Sequence, residues 1–189
     1  MGAPPPDRVD GLLPDALRAD LVALRRRLHA RPELSGEERE TRETIRGFLE
    51  EHGVPELRDA AGTGLVARIP GRGASGPAVA LRGDIDALPI EEDTGLPFAS
   101  GRPGVMHACG HDVHAAWAAG AALLLAERPA AGEVLVVFQP AEETGRGARA
   151  VLEDGALEGA AAIFGGHVDT DFEVGRLVAQ PGPLAASAD

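Results

Sequence analysis

The sequence contains one cysteine and no lysine, asparagine or tyrosine among its 189 residues. A single cysteine excludes an internal disulfide and a redox dithiol, and it fits a reducing compartment. The lack of asparagine excludes N-glycosylation. No apolar run is long enough to span a bilayer, and the first residues, "MGAPPPDRVDGLLPD", do not have the layout of a secretion signal. These absences predict a cytoplasmic protein with no membrane segment.

Positive charge is also scarce. Lysine and arginine together number 18 against 30 aspartates and glutamates, which gives a formal net charge of -12. This charge disfavours nucleic acid and anionic membranes as partners. It does not exclude a small anionic substrate, because an active site can be locally positive. No Gly-x-Ser-x-Gly motif of a serine hydrolase is present, and "GRGASG" fits neither a P-loop nor a dinucleotide-binding fingerprint.

Hydrophobic residues make up 44% of the chain, enough for one domain with a core. Periodicity predicts a loose N-terminal arm over 1–13, followed by alternating helices and strands. The predicted helices cover 14–33, 35–53, 112–129 and 145–155, and the predicted strands cover 62–71, 76–86, 132–140, 160–169 and 174–183. This alternation predicts an α/β fold with a mixed, mostly parallel sheet flanked by helices.

Several details of these elements are also predicted by their residues. The first two strands should form a hairpin or a neighbouring pair, since only a Gly-rich connection separates them. The apolar strands 132–140 and 160–169 should be buried. A capping box from Ser35 to Glu38 should begin the second helix, and Asp112 should cap the third.

One short stretch, "MHACGHDVH", holds the only cysteine and three of the six histidines. Cys109 and His111 are two residues apart and point the same way in an extended segment, so they could bind one ion. Thiolate and imidazole together suit zinc or a similar divalent metal. Two alternatives stay open: a buried free cysteine among polar histidines, and a thiol hydrolase with Cys109 as nucleophile. His107 and His114 are either partners of the ligands or surface groups.

Three further blocks place polar side chains after predicted strands, where ligands bind in such sheets. "RGDIDALP" supplies Asp84 and Asp86, which could orient a ligating imidazole. "FQPAEE" ends in two carboxylates, one suited to bind a metal and the other to accept a proton from water. "FGGHVD" supplies His167. Each block alone is also consistent with a turn, an exposed acidic loop or a structural histidine, but their joint occurrence favours a metal-dependent hydrolase.

The ordered blocks "LHARPELSGEE", "GTGLVARI", "LRGDIDALPIEE", "MHACGHDVHAA", "VVFQPAEETGRGA" and "GGHVD" resemble the metal-dependent amidohydrolase branch of the aminoacylase/carboxypeptidase metallopeptidase family. That branch includes hippurate hydrolases, N-acyl-amino-acid amidohydrolases and plant auxin-conjugate hydrolases. The resemblance implies hydrolysis of the amide bond of N-acyl amino acids or related small amides. It also implies a site with two divalent metal ions, namely zinc, manganese, cobalt or nickel.

The resemblance assigns a role to each site residue by its place in these blocks. It implies that the metal ligands are Cys109, His111, Glu143 and His167. Glu142 matches the general base that activates water, and Asp86 matches the aspartate that supports the site. Asp84 falls where related peptidases carry a metal-binding histidine, which is a departure from their pattern.

Family members are much longer than this chain, and they continue into a lid domain where it stops. We therefore expect 14–189 to be the N-terminal portion of the catalytic domain, from a truncated gene product, an engineered fragment or a split protein. No histidine follows His167 to supply the last ligand of the family. A homo-oligomer or a complementing chain could supply it. The alternative function is a non-catalytic remnant, or half of a split enzyme, that binds metal weakly.

Overall fold

The computed structural model describes residues 13–73 and 76–179. The predicted loose arm over 1–13 lies outside the described residues except for its last position. The helices are α1 Asp15–Ala30, α2 Arg39–Glu51, α3 His111–Glu127 and α4 Gly147–Glu153, and the strands are β1 Glu56–Ala60, β2 Gly64–Ile69, β3 Ala78–Asp84, β4 Val134–Gln139 and β5 Ala160–Gly165. None of the helices in the described ranges is both long enough and apolar enough to cross a membrane.

The five strands form one mixed sheet in the order β1-β2-β4-β3-β5. Strand β2 runs antiparallel to both of its neighbours, β1 and β4, whereas β4, β3 and β5 are mutually parallel. The predicted α/β class with a mixed sheet is therefore confirmed. Strand β4 lies at the centre and all six of its residues are buried, as its continuous apolar sequence predicts.

The predicted neighbouring pair of β2 and β3 is wrong, because β4 lies between them. Leu65 of β2 faces Phe138 of β4 in an antiparallel register, and Leu81 of β3 faces Val136 of β4 in a parallel one. The most apolar strand occupies the central position of the sheet, where both of its faces are covered and the burial of apolar surface is largest. Local sequence does not encode this insertion, since β4 comes more than 60 residues later in the chain than β2.

Helices α1, α2 and α3 pack on one face of the sheet and α4 packs on the other. The larger core cluster joins these three helices to inward side chains of β2 and β4, and its members include Leu24, Leu28, Ile45, Leu49, Leu65, Ile69, Ala118, Val136 and Phe138. The smaller cluster on the opposite face is centred on Leu135, Val137 and Val151. Seven of the 17 residues of α3 are alanines, and their small side chains let the helix pack closely on the sheet.

Strand β5 differs from the buried strand that its sequence predicts. It is an edge strand, and Ile163 and Phe164 are 51% and 60% exposed. No helix of the described part of the chain covers it. Residues 174–179 form no strand, contrary to the prediction over 174–183, whose last residues lie outside the described range. Strand β1, which is polar and carries no alternating pattern, was not predicted.

Both predicted helix caps are also wrong. Helix α2 begins after Glu38, which makes no capping hydrogen bond, and the Ser35 hydroxyl donates to Asp86 instead. Helix α3 begins after Gly110, whose φ of 81° is the left-handed conformation that glycine adopts most readily. Asp112 lies inside the first turn and accepts a hydrogen bond from the ring of His29 at 2.8 Å. The polar residues that resemble caps here make tertiary contacts.

Candidate metal centre

The predicted site residues lie together at one edge of the sheet. Strand β3 ends at Asp84, and His111 begins α3 beside it. The turn after β4 carries Glu142 and Glu143, and the segment after β5 carries His167. Because β3, β4 and β5 are parallel, their carboxyl ends meet at this edge.

Three groups of donor atoms overlap at this edge, and the atoms of each group lie within 4.8 Å of one another. They are Cys109 with His111 and His167, Asp84 with His111 and His114, and His111 with Glu142 and Glu143. His111 belongs to all three groups, so its ring lies at the centre of the cluster. The structure therefore brings together every residue that the sequence proposes as a ligand, with Glu142 beside them.

The His111 ring has one nitrogen engaged and one unpaired. Nδ1 lies 2.9 Å from the backbone carbonyl of Asp86 and 3.2 Å from its carboxylate, so it carries the proton and donates. Nε2 is buried and has no hydrogen-bond partner in the described part of the chain. It lies 3.7 Å from Glu143 Oε1 and 3.8 Å from Glu142 Oε2.

An unpaired nitrogen facing carboxylates is unfavourable unless a positive charge lies among them. Burial lowers the pKa of His111, but the Asp86 hydrogen bond and the charges of Asp84, Asp86 and Glu143 together raise it above the usual range. A divalent cation would likewise supply positive charge among these carboxylates. Imidazole, thiol and carboxylate are ligands for such a cation. The residues present therefore fit a metal ion at this position.

Asp86 fixes the orientation of His111. Its side chain is 1% exposed and accepts hydrogen bonds from the Ser35 hydroxyl at 2.6 Å and the Glu143 amide at 3.0 Å as well as from His111. Burial raises the pKa of Asp86, but these hydrogen bonds outweigh it and hold that pKa at about 2. Asp86 is therefore ionised at neutral pH and keeps the proton of His111 on Nδ1.

Cys109 and His167 form the outer side of the cluster. The Cys109 Sγ lies 3.3 Å from His167 Nε2. Burial, followed by the negative charge of Glu143, raises the pKa of Cys109 to about 12. Without a cation Cys109 is a neutral thiol at pH 7, and reactive cysteines instead have a lowered pKa. This environment argues against the thiol-hydrolase alternative and suits a ligand that loses its proton when a metal binds.

The two adjacent glutamates have different surroundings. The side chain of Glu142 is 40% exposed and that of Glu143 is 21% exposed. Burial and the nearby charge of Glu142 raise the pKa of Glu143, although His111 partly offsets them. Glu143 therefore points into the cluster and Glu142 lies at its solvent-facing rim.

Comparison of the sequence with models of known protein families identifies the family of this chain. The model of Peptidase family M20/M25/M40 matches residues 80–183, which contain all the donors described above. The chain belongs to this family. Its members are metallopeptidases and amidohydrolases, so the predicted enzyme class and the resemblance found in the sequence are confirmed.

Relatives of this M20 chain include two deacetylases of Bacillus subtilis (strain 168). An N-acetyl-L-cysteine deacetylase is 50% identical over 175 residues, covering 92% of this chain and 42% of the relative. An N-acetylcysteine deacetylase is 51% identical over 181 residues, covering 92% of this chain and 46% of the relative. The chain spans less than half the length of these curated relatives.

A solved structure agrees with the fold. The crystal structure of a dinuclear metal-binding M20 peptidase from Bacillus subtilis is 51% identical and superimposes with a TM-score of 0.80, covering 84% of this chain and 45% of that chain. The fold of the M20 catalytic domain is therefore shown for the described residues, and dinuclear metal binding is established for that relative.

Glu38, which the sequence predicts as the second member of a capping box, instead supports the site. It is fully buried, and its carboxylate accepts hydrogen bonds from the Thr63 hydroxyl at 2.5 Å and the Ala141 amide at 2.8 Å. Ala141 has a φ of 50°, in the left-handed region that alanine rarely adopts. Glu38 thereby holds the strained turn that presents Glu142 and Glu143.

The other histidines of the motif lie in different surroundings. His107 is 4% exposed, and neither ring nitrogen has a hydrogen-bond partner among the described residues. Burial lowers the pKa of His107 to about 4, so the ring is neutral at pH 7. His114 is fully buried and contacts Asp84 at 2.6 Å. Neither histidine is therefore a surface group.

Proposed function

We propose that this chain is the metal-binding part of an M20 amidohydrolase that cleaves the amide bond of N-acyl amino acids. The observation that carries the proposal is the convergence of sulfur, nitrogen and oxygen donors on the unpaired Nε2 of His111. The two deacetylases of N-acetylated cysteine, at 50% and 51% identity, support an N-acyl amino acid as the substrate class.

Cys109, His111, Glu143 and His167 would hold two divalent ions, in keeping with the dinuclear relative. Bound ions of this kind polarise a carbonyl oxygen and lower the pKa of water. The mixture of thiolate, imidazole and carboxylate suits zinc, and it also accommodates manganese, cobalt or nickel. Asp86 contributes by fixing the His111 ring, as described above.

Glu142 is the residue best placed for proton transfer. Its carboxylate oxygen lies 3.8 Å from His111 Nε2, and its side chain is partly open to solvent. In this role Glu142 accepts a proton from the attacking water as the oxygen bonds to the amide carbon. It then delivers that proton to the nitrogen as the carbon–nitrogen bond breaks, releasing a carboxylic acid and a free amine.

The exposed face of β5 favours a second candidate, in which the chain binds metal but needs another polypeptide for turnover. Ile163 and Phe164 are both more than half exposed on this edge strand. A long exposed apolar edge pairs readily with another chain. A homo-oligomer or a complementing chain would cover it and could add the remaining groups of the site.

The experiment combines metal analysis with hydrolysis by the 189-residue chain. The protein is loaded separately with zinc, manganese, cobalt or nickel, and the bound metal is measured by elemental analysis. Release of free amino acid from N-acetyl and N-benzoyl amino acids is then followed. We expect Glu142→Gln to keep the metal and lose roughly 10²–10⁴-fold in rate, the usual contribution of a general base. Cys109→Ser should lose metal.

The control is His52→Gln, which removes a histidine at the end of α2 that takes no part in the cluster. It should match the wild type in metal content and rate. Metal binding without turnover in every sample would favour the second candidate. No metal binding by the wild type, or full metal retention by Cys109→Ser, would contradict the proposed site.

A further inference from the structure

We propose that His114 is a positioning residue and not a metal ligand: it links Asp84 to the backbone of Val168 and thereby fixes His167. The inference rests on the proposed function, because it takes His167 as a ligand. The distances between donor atoms do not separate a positioning role from a ligand role, since donor atoms of Asp84, His111 and His114 all lie within 4.8 Å of one another.

Hydrogen bonds determine which nitrogen of the His114 ring carries its proton. The backbone amide of Val168 lies 2.9 Å from His114 Nε2. An amide N–H can only donate, so Nε2 must accept with its lone pair. The single proton of the neutral ring is therefore on Nδ1, which donates to Asp84 Oδ1 at 2.6 Å. Both nitrogens are occupied, and His114 has no lone pair left for a cation.

Val168 transmits this arrangement to His167. While its N–H donates to His114, its carbonyl accepts a hydrogen bond from His167 Nδ1 at 2.6 Å. The rings of His114 and His167 also contact edge to face, with centroids 4.7 Å apart. His167 Nε2 is consequently directed toward Cys109, at 3.3 Å from its sulfur. The backbone of one residue thus connects a buried histidine to an exposed one.

The Asp84 end of this hydrogen-bonded connection is fixed in the core. Asp84 is the last residue of β3, is 1% exposed and pairs with Arg82 at 2.6 Å. His114 is fully buried one turn after His111 in α3. The segment after β5 carries few buried side chains, so it depends on such contacts for its position. The bonds from Asp84 through His114 supply an anchor in the core.

Gly110 shows how closely the Val168 segment approaches α3. A Cβ atom at Gly110 would lie 2.4 Å from Val168 Cγ2. Because this glycine stands between the proposed ligands Cys109 and His111, the Val168 segment lies directly against the backbone that carries them. A displacement of Val168 would therefore separate His167 from the other donors.

The test uses two variants, each of which keeps a hydrogen-bonding group at the position of one nitrogen of the His114 ring. In His114→Gln the side-chain carbonyl can reach the Nε2 position and accept from Val168. In His114→Asn the shorter amide can reach only the Nδ1 position and keeps the contact with Asp84. Cobalt binding is measured by titration, stoichiometry by elemental analysis, and folding by circular dichroism, with His52→Gln as the control.

We expect the wild type and His114→Gln to bind cobalt with similar affinity. His114→Asn should bind the same number of ions about 10- to 100-fold more weakly, the usual effect of losing a residue that orients a ligand. Loss of one equivalent of metal from both variants would show that His114 is a ligand and overturn the proposal. Equal affinity in all four proteins would also overturn it.

A second measurement on the wild type does not depend on variants that might not fold. Nitrogen NMR of the imidazoles should show His114 with a protonated Nδ1 and an unprotonated Nε2, both before and after zinc is added. A shift of Nε2 to a metal-bound value would contradict the proposal. If the wild type binds no zinc at all, the proposed function fails, whereas the NMR tautomer still reports separately on the contact between His114 and Val168.

Discussion

His111 and His114 lie one turn apart on α3, and each uses Nδ1 to contact an aspartate at the end of the same strand. His111 contacts Asp86 and His114 contacts Asp84. The two pairs differ at the opposite ring nitrogen. Nε2 of His111 is buried without a hydrogen-bond partner in the described residues, whereas Nε2 of His114 accepts the Val168 amide proton.

This difference shows that residue type and burial are not enough to identify a metal ligand. Both rings are buried and both face carboxylates. Only the unoccupied nitrogen among converging donors can bind a cation, and the neighbouring ring uses the same aspartate–histidine pairing to hold a loop in place. The predictions below separate the two histidines in order of decreasing effect.

The largest effect is expected for His111→Ala, compared with His114→Ala. His111 belongs to all three donor groups, so its removal should abolish stoichiometric metal binding as measured by elemental analysis. His114→Ala should keep the metal stoichiometry at reduced affinity. Each change removes one partner of a buried aspartate that keeps another, Ser35 for Asp86 and Arg82 for Asp84, and should cost about 1–3 kcal/mol in the free energy of unfolding. Stoichiometric metal in His111→Ala would break the comparison.

Acid should destabilise the protein through Asp86. Its folded pKa of about 2 is below the ordinary value of 3.8 for an aspartate, so its ionised form stabilises the fold fully above pH 3.8. This contribution, about 2 kcal/mol, should be lost as the pH falls from about 4 to about 2. Urea unfolding across this range should show a steeper decline for the wild type than for Asp86→Asn. Parallel curves would contradict the assigned pKa.

Metal affinity should rise with pH because of Cys109. Its thiol has a pKa of about 12 without metal, and it must lose its proton to bind. One such proton makes the apparent affinity rise about tenfold per pH unit below that pKa. Titrations between pH 6 and pH 8, roughly the range in which most proteins stay folded, should show a smaller slope for Cys109→Ser. An unchanged slope would show that the thiol is not a ligand.

The smallest effect is expected for Val168→Ala. Val168 acts through its backbone N–H and carbonyl, and the residue is 41% exposed. Val168→Ala should therefore match the wild type in cobalt affinity. Its free energy of unfolding should lie within about 0.5 kcal/mol of the wild-type value. A loss of affinity as large as that of His114→Asn would show that side-chain packing, and not the peptide hydrogen bonds, positions His167.

The blocks that carry the site could be recognised from the sequence because each follows an apolar strand or begins an apolar helix. The burial of β4 and the position of His111 at the start of α3 follow from the same pattern. The roles of individual residues within the site were harder to predict from the sequence. Glu38 and Ser35 have the spacing of a capping box, yet they contact Ala141 and Asp86 in distant parts of the chain.

Tertiary pairing explains the other differences. The insertion of β4 between β2 and β3 depends on which strands bury the most surface together, and local periodicity contains no information on this choice. The apolar residues of β5 predict burial, but in this structure the strand lies at an edge with Ile163 and Phe164 exposed. The roles of His111 and His114 could not be separated by sequence, because only the Val168 contact distinguishes them.

The most direct test of the account is the absorption spectrum of the cobalt-loaded chain. If Cys109 and His111 bind the same centre, the wild type should show a thiolate-to-cobalt charge-transfer band that is retained in His114→Gln and lost in both Cys109→Ser and His111→Ala. A wild-type spectrum without that band, or a band that survives Cys109→Ser, would contradict the convergence of these donors on one cation.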